Sequence, residues 1–311
     1  MQKPPPISAI PRFPITSGLC LLAIGVTIAW WSGWSIDSLV SDSPFLLRQP
    51  WRLLTSSLPH VSIFHLAFNI YWIWVFGTLL EPYFGTPRYL AIVIVLAAVP
   101  DAAQLAFLAG GVGLSGVGYG LFGLLYVLSQ REPRFKGVID SQTVIAFVVW
   151  FFLCILLTVT HILPVANVAH GAGALLGAGI GWITVSRASA KSLAAVIVSF
   201  TSALLLALAL FFRPFVNLSP DGGDSYAQAG YHALERKDPQ TALDLYNQAL
   251  SFHYQQANWF YNRGVANERL AHFKAAAADF QQAARLDPAN LDYRRVADRE
   301  RDFAQETATA P

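Results

Sequence analysis

Seven apolar stretches, at about 16–34, 62–81, 87–108, 113–130, 142–160, 165–186 and 192–212, occupy the first two thirds of this 311-residue chain. Each is long enough to cross the roughly 30 Å hydrocarbon layer of a bilayer. Lipid offers no hydrogen bonds to exposed backbone groups, so segments of this kind must satisfy their own amides and carbonyls as helices. Composition agrees, with 54% hydrophobic residues, 13% charged residues, 9 Trp and 21 Phe, a balance foreign to a soluble core. The first stretch follows a Pro-rich segment with no small-residue cleavage site, so it reads as a retained span.

Basic residues set the expected orientation. Lys3 and Arg12 precede the first span, Arg88 lies between the second and third, Arg131, Arg134 and Lys136 follow the fourth, and Arg187 and Lys191 follow the sixth. All of these loops share one side, which places the N-terminus in the cytoplasm. Asp37, Asp42 and Asp101 fall opposite, with Arg48 and Arg52 as exceptions. An odd seventh span then leaves the C-terminus outside. Cys20 and Cys154 both lie within spans and indicate packing, not a disulfide framework.

The composition changes near Arg213. Residues 1–213 hold 11 of the 21 Lys/Arg but only 6 of the 19 Asp/Glu, so the remainder is a charged, soluble segment. It also repeats. Gly230, Ala242, Tyr246 and Ala249 are matched 34 residues later by Gly264, Ala276, Phe280 and Ala283, with Pro288 closing the second copy. This resembles the tetratricopeptide repeat (TPR), although Tyr254 stands where the first copy should have proline. A charged helix at about 291–305 would cap the pair, and a generic pair of helical hairpins is the plainer alternative. The expected organisation is an N-terminal cytoplasmic segment (1–15), a six-helix core (16–186), a seventh transmembrane helix (187–213), a linker (214–224) and a TPR-like repeat domain (225–305). The fold class is therefore all-α: a polytopic membrane bundle followed by a small soluble helical domain.

Polar groups inside hydrocarbon are costly and usually have a task or a partner. His65 and Asn69 are four apart and share a face of the second span, and Ser115 and Tyr119 do the same in the fourth. His170 opens the sixth, followed by Gly173, Gly177 and Gly181 at four-residue spacing. The even-numbered spans all run from outside to inside, so His65, Ser115 and His170 reach a similar depth below the outer surface. The small-residue stripe would let the sixth helix approach Gly116 and Gly120 of the fourth. An imidazole beside a serine is the usual way to activate its hydroxyl. His65, Asn69 and the amides around Ser115 are suitable donors for an oxyanion.

Each residue also has a duller reading. A serine in a glycine-rich helix can bond back to its own carbonyls, and His170 or Asn69 could simply tie two helices together. His60 falls off the His65 face and reads as a loop or interfacial residue. Asn167 could add a hydrogen bond near His170. Arg52 reads as a headgroup-level anchor for the external loop, and Glu81 as the inner end of the second span or a bond to a neighbouring helix.

"GLSGVGYGLFG" resembles the Gly-x-Ser-Gly segment of the rhomboid family of intramembrane serine proteases, and "AHGAGALLG" its Ala-His-x-x-Gly-x-x-x-Gly segment. "HVSIFHLAFN" and Trp51-Arg52 resemble two further signatures, in the same order, over roughly residues 15–186. The resemblance implies a six-helix core and a Ser-His dyad with no acidic third member. Ser115 would be the nucleophile and His170 the base, with His65, Asn69 and the backbone at Ser115 as oxyanion hole. It also implies that Gly113 permits the tight turn before Ser115 and that Tyr119 packs on the His170 ring.

Other chemistries lack their residues. Val117 occupies the last position of a soluble-hydrolase Gly-x-Ser-x-Gly elbow. No His-Glu-x-x-His, no paired intramembrane aspartates and no phosphate loop occur, so neither cofactor nor metal is expected. The expected partners are transmembrane protein substrates, the lipid bilayer and a protein bound by the tail; a net charge of +2 gives no reason to expect nucleic acid. The expected location is the cytoplasmic (inner) membrane of a bacterium. The competing reading is a non-proteolytic scaffold that grips membrane proteins and presents them to the tail's partner.

Overall fold

The structure, a computed structural model, describes residues 5–42, 44, 46–253 and 255–299. The described residues are helical, without strands. They fall into a membrane unit through Phe212 and a C-terminal unit from Arg213.

In the membrane unit the helices are α1 (Pro14–Trp31), a single turn α2 (Arg52–Thr55), α3 (Ile63–Phe84), α4 (Thr86–Phe107), α5 (Ser115–Arg131), α6 (Ser141–Val159), α7 (Asn167–Val185) and α8 (Ala188–Ala207). Helix α8 continues through a π-helical turn, Leu208–Phe212, into Arg213–Val216, which is α9. Among the described residues, six helices are long and apolar enough to cross a membrane: α1, α3, α4, α6, α7 and the Ala188–Val216 helix. The chain is thus an integral, multi-pass membrane protein. The remaining expected span, the fourth, is α5; it has 17 residues and starts at Ser115, two residues later than its apolar run. Its length is explained by its position, because 11 of those 17 residues are buried against other helices and not against lipid.

Local chemistry sets the helix ends. Ser62 caps α3 by accepting from the His65 amide at 3.2 Å, and Asp140 caps α6 by accepting from the Thr143 amide at 2.8 Å. Helix α3 ends at Gly85, whose φ of 77° is a conformation that glycine adopts without penalty. Pro87 then opens α4 where no amide is needed. At the start of α1, the Glu81 carboxylate accepts from the Ile15 amide at 3.0 Å, the Thr16 amide at 2.9 Å and the Thr16 hydroxyl at 2.7 Å. Glu81 therefore bonds a neighbouring helix, one of the two roles its sequence position allowed.

The core is built around α5, which packs most closely on α7. A Cβ on Gly177 would overlap the Gly120 carbonyl, and one on Gly173 would overlap that of Gly116. The small-residue stripe is therefore an actual backbone-to-backbone contact. By contrast, α6 buries only Thr143, Phe147 and Cys154, and α8 buries none of its residues, so their apolar surfaces are left for lipid.

The C-terminal unit contains α10 (Asp224–Glu235), α11 (Pro239–Ala249), α12 (Ala257–Arg269) and α13 (Phe273–Leu286), each packed on the next. The 34-residue offset reappears as packing. Gly230 lies against the Tyr246 ring, with 2.9 Å from a built Cβ to Cε2, and Gly264 lies against Phe280, with 2.7 Å to Cε1. Residues 291–299 are helical; the rest of the expected 291–305 helix lies outside the described residues.

Candidate active site

Ser115 is the first residue of α5, and helix geometry leaves its amide without an intrahelical acceptor. Two residues earlier, Gly113 has φ 111°, a conformation closed to most side chains. A Cβ there would also lie 2.5 Å from His65 Cε1 and 2.8 Å from His65 Nε2. Only glycine lets the loop before Ser115 pass so near the His65 ring. The Gly113 amide donates to Ser56 O at 3.1 Å.

His170 lies in the first turn of α7 and is 3% exposed. Its Nε2 is 2.7 Å from Ser115 Oγ. For Nε2 to accept the serine proton, the ring proton must sit on Nδ1. Nδ1 is buried and has no hydrogen-bond partner, so no carboxylate stands behind this imidazole. Orientation comes from Tyr119 instead: its ring stacks on His170 with centroids 4.7 Å apart and planes at 21°. The Tyr119 hydroxyl is anchored to Phe147 O at 3.2 Å.

Asn69 is 3% exposed, and its Nδ2 has no hydrogen-bond partner. A buried, unpaired amide donor is expensive to maintain, so this one is available for an acceptor that arrives with a ligand. His65 Nδ1 is likewise buried without a partner. A cavity of about 20 Å³ beside Ser115, lined by Ser56, Ser57, Pro100, Asp101 and Gly113, has room for one water.

His60 is a loop residue, one of its two expected readings, but nothing in the sequence marked it as completely buried. Its Nε2 accepts from the Leu114 amide at 3.2 Å, and Nδ1 faces Leu58 O at 2.9 Å. Those two bonds fix the Nδ1-protonated tautomer and hold the residue preceding Ser115. A buried imidazole with both nitrogens engaged this way is neutral, and burial, aided by the neighbouring His65, pushes its pKa down to about 4. Five-residue spacing from His65 put the two on different helical faces, but His60 precedes α3, so that argument did not apply; their rings are in contact, centroids 4.8 Å apart.

Asn167 makes no hydrogen bond to His170. Its Nδ2 donates to Thr158 Oγ1 at 2.8 Å, tying α7 to α6. Arg52 is 6% exposed and folded against the backbone oxygens of Asp37 and Val40 and the side chain of Gln49, which makes it an anchor of the loop between α1 and α2. Among the described residues no group of three or more His, Cys, Asp or Glu is arranged to hold a metal.

Residues 47–187, which hold all of these groups, match the family model described as Rhomboid domain. The chain is also similar to proteins named Rhomboid protease GlpG. Identity is 31% over 176 residues for that of Serratia proteamaculans (strain 568), covering 53% of this chain and 60% of the relative. It is 30% over 160 residues for that of Yersinia pestis (strain Pestoides F), covering 51% and 55%. Both comparisons support the rhomboid family. The chain spans little more than half the length of these curated relatives, and the rhomboid match ends before α8 and the C-terminal unit.

Proposed function

We propose that this protein is an intramembrane serine endopeptidase acting through a Ser115–His170 dyad. The observation that carries the reading is the 2.7 Å approach of His170 Nε2 to Ser115 Oγ, across two helices whose backbones touch. Ser115 attacks the scissile carbonyl while His170 takes its proton at Nε2. His170 then returns that proton to the leaving amine, and a second cycle with water clears the acyl-enzyme. The Ser115 amide, His65 and Asn69 bind the oxyanion. The Leu114 amide is not part of the hole, because His60 already holds it. Gly113 admits the turn, and Tyr119 restrains the ring of the base.

The substrates are other transmembrane proteins, cut where their helices unwind near the outer face. The N-terminus lies in the cytoplasm, the membrane is the inner membrane of a bacterium, and the TPR-like tail lies outside and binds a protein partner. Basic residues in the loops and the odd number of spans support this orientation. A cysteine introduced at the exposed Ser251 should react with an impermeant thiol reagent on intact cells; protection would put the tail inside.

Cleavage of a transmembrane substrate in detergent tests the activity. Ser115→Ala and His170→Ala should each lower it by about 10³-fold or more, and a fluorophosphonate should label Ser115 in the parent. Folded parent protein that cleaves nothing and takes no label points to the scaffold.

A further inference from the structure

We propose that Gln104 is the positioning residue of the dyad, holding the start of the helix that bears His170 and the loop that leads to Ser115 on one buried carboxamide. This rests on the dyad reading above.

Helix α7 begins at Asn167, three residues before His170, and Ala166 at its N-cap has no side chain that can accept. Asn167, a residue type suited to such work, is committed to Thr158 on α6. The orphan amides of the first turn are met from another helix. Gln104, in the last turn of α4 and 4% exposed, accepts from Val168 N at 3.1 Å and Ala169 N at 3.4 Å through Oε1. Its Nε2 donates to Ala109 O at 2.9 Å, six residues before Ser115. The amide orientation is determined by these partners, because the reverse would aim an NH₂ at two N–H groups.

The two tethers act on the two halves of the pair. Val168 and Ala169 immediately precede His170, so their bonds fix the rotation of the first turn that carries the imidazole. Ala109 belongs to the loop that also meets Ser56 and His60 through Gly113 and Leu114. A 2.7 Å contact between separate helices tolerates only a few tenths of an ångström of drift. Displacement of a reacting group by about 1 Å can reduce turnover by about 100-fold.

Gln104→Met keeps the length of the side chain and removes both tethers; Gln104→Glu keeps the acceptor for α7 and removes only the donor to Ala109. In the full chain, in detergent, Gln104→Met should lower kcat and the rate of fluorophosphonate labelling by about 10-fold to 100-fold, with KM unchanged. Gln104→Glu should fold like the parent and recover part of the loss. In ¹⁵N spectra of the imidazoles, His170 should be a single Nδ1-protonated species in the parent and a mixture of tautomers in Gln104→Met. Parental labelling and spectra in Gln104→Met would overturn the proposal; if that variant does not fold, parental kcat in Gln104→Glu would do so. Should the parent itself take no label, the protease reading fails, and the tether is then judged on the spectra alone. Identical His170 signals in parent and variant would dismiss it.

Discussion

Gly177 of α7 and Gly120 of α5 meet backbone to backbone: a Cβ on Gly177 would occupy the space of the Gly120 carbonyl oxygen. Neither helix can move away without separating the elements that carry Ser115 and His170. Gly177→Ala should therefore destabilise the membrane unit by about 1–3 kcal/mol, the usual cost of overpacking, and reduce activity with it. Gly118 is on the same helix as Gly120, yet nothing lies within 4 Å of a Cβ built there. Gly118→Ala should be neutral or stabilising by up to about 1 kcal/mol, through helix propensity. Thermal midpoints of the two variants in one detergent check the contrast; equal losses would mean that the close approach is not the reason for Gly177.

His60 makes the loop before Ser115 sensitive to acid. It must stay neutral to accept the Leu114 amide, and burial holds its pKa at about 4, against about 6.5 for an unfolded histidine. Below pH 6.5 the unfolded chain takes up a proton that the folded chain refuses. Stability is therefore lost as pH falls from about 6.5 to 4 and changes little from this group below 4. The shift corresponds to a loss of about 3 kcal/mol. His60→Gln should be less stable than the parent at pH 7.5, and the gap should narrow as the pH approaches 4, a comparison in which the histidines away from the His60–His65 contact cancel. A gap independent of pH would remove His60 as the acid-sensitive group.

The membrane helices and the residues now adjacent at Ser115 were legible because hydrocarbon enforces a simple code: long apolar runs, with each polar exception conspicuous. Depth counting along the second, fourth and sixth spans drew attention to Ser115, His170 and His65, and glycine spacing indicated which helices could touch. What escaped notice lies where that code has no force. His60 and Arg52 are in non-helical or single-turn segments, where position along a helix says nothing about burial. Gln104 drew no reading from the sequence, since a side chain capping a different helix leaves no local signature. Helix α5 starts later than its apolar run because Gly113 and Leu114 belong to the turn, in which Gly113 takes a positive φ.

Glu81 ties the C-terminal end of α3 to the start of α1. It is 2% exposed and accepts two amides and one hydroxyl from Ile15 and Thr16. Glu81→Ala leaves those donors unpaired in a dry interface and should destabilise the fold by about 2–4 kcal/mol, the scale of charge-assisted and orphaned hydrogen bonds. Glu81→Gln, which still offers one oxygen, should lose less. Thermal unfolding in detergent ranks the three proteins, and an alanine variant as stable as the parent would show that α1 docks without this bond.

In the C-terminal unit, Arg263 grips Asp279 with two bonds, Nε to Oδ2 at 3.0 Å and the second terminal nitrogen to Oδ1 at 2.6 Å. Asn267 adds a third bond to the carboxylate at 2.9 Å, and Arg263 also donates to Asn247 at 2.9 Å, joining α11, α12 and α13. Asp279 is 4% exposed, so its charge depends on these partners. Arg263→Ala leaves a buried carboxylate with one neutral donor and should cost about 3–5 kcal/mol. Arg263→Lys should fall between, because an ammonium cannot reproduce the fork. Removing both groups in Arg263→Ala/Asp279→Leu should be less damaging than Arg263→Ala alone, because no unpaired charge remains. Limited proteolysis of the full chain reads the outcome in the tail, whose cleavage should be fastest in Arg263→Ala. A double variant cut faster than that single one would mean that the network stabilises through its packing and not by pairing the buried charge.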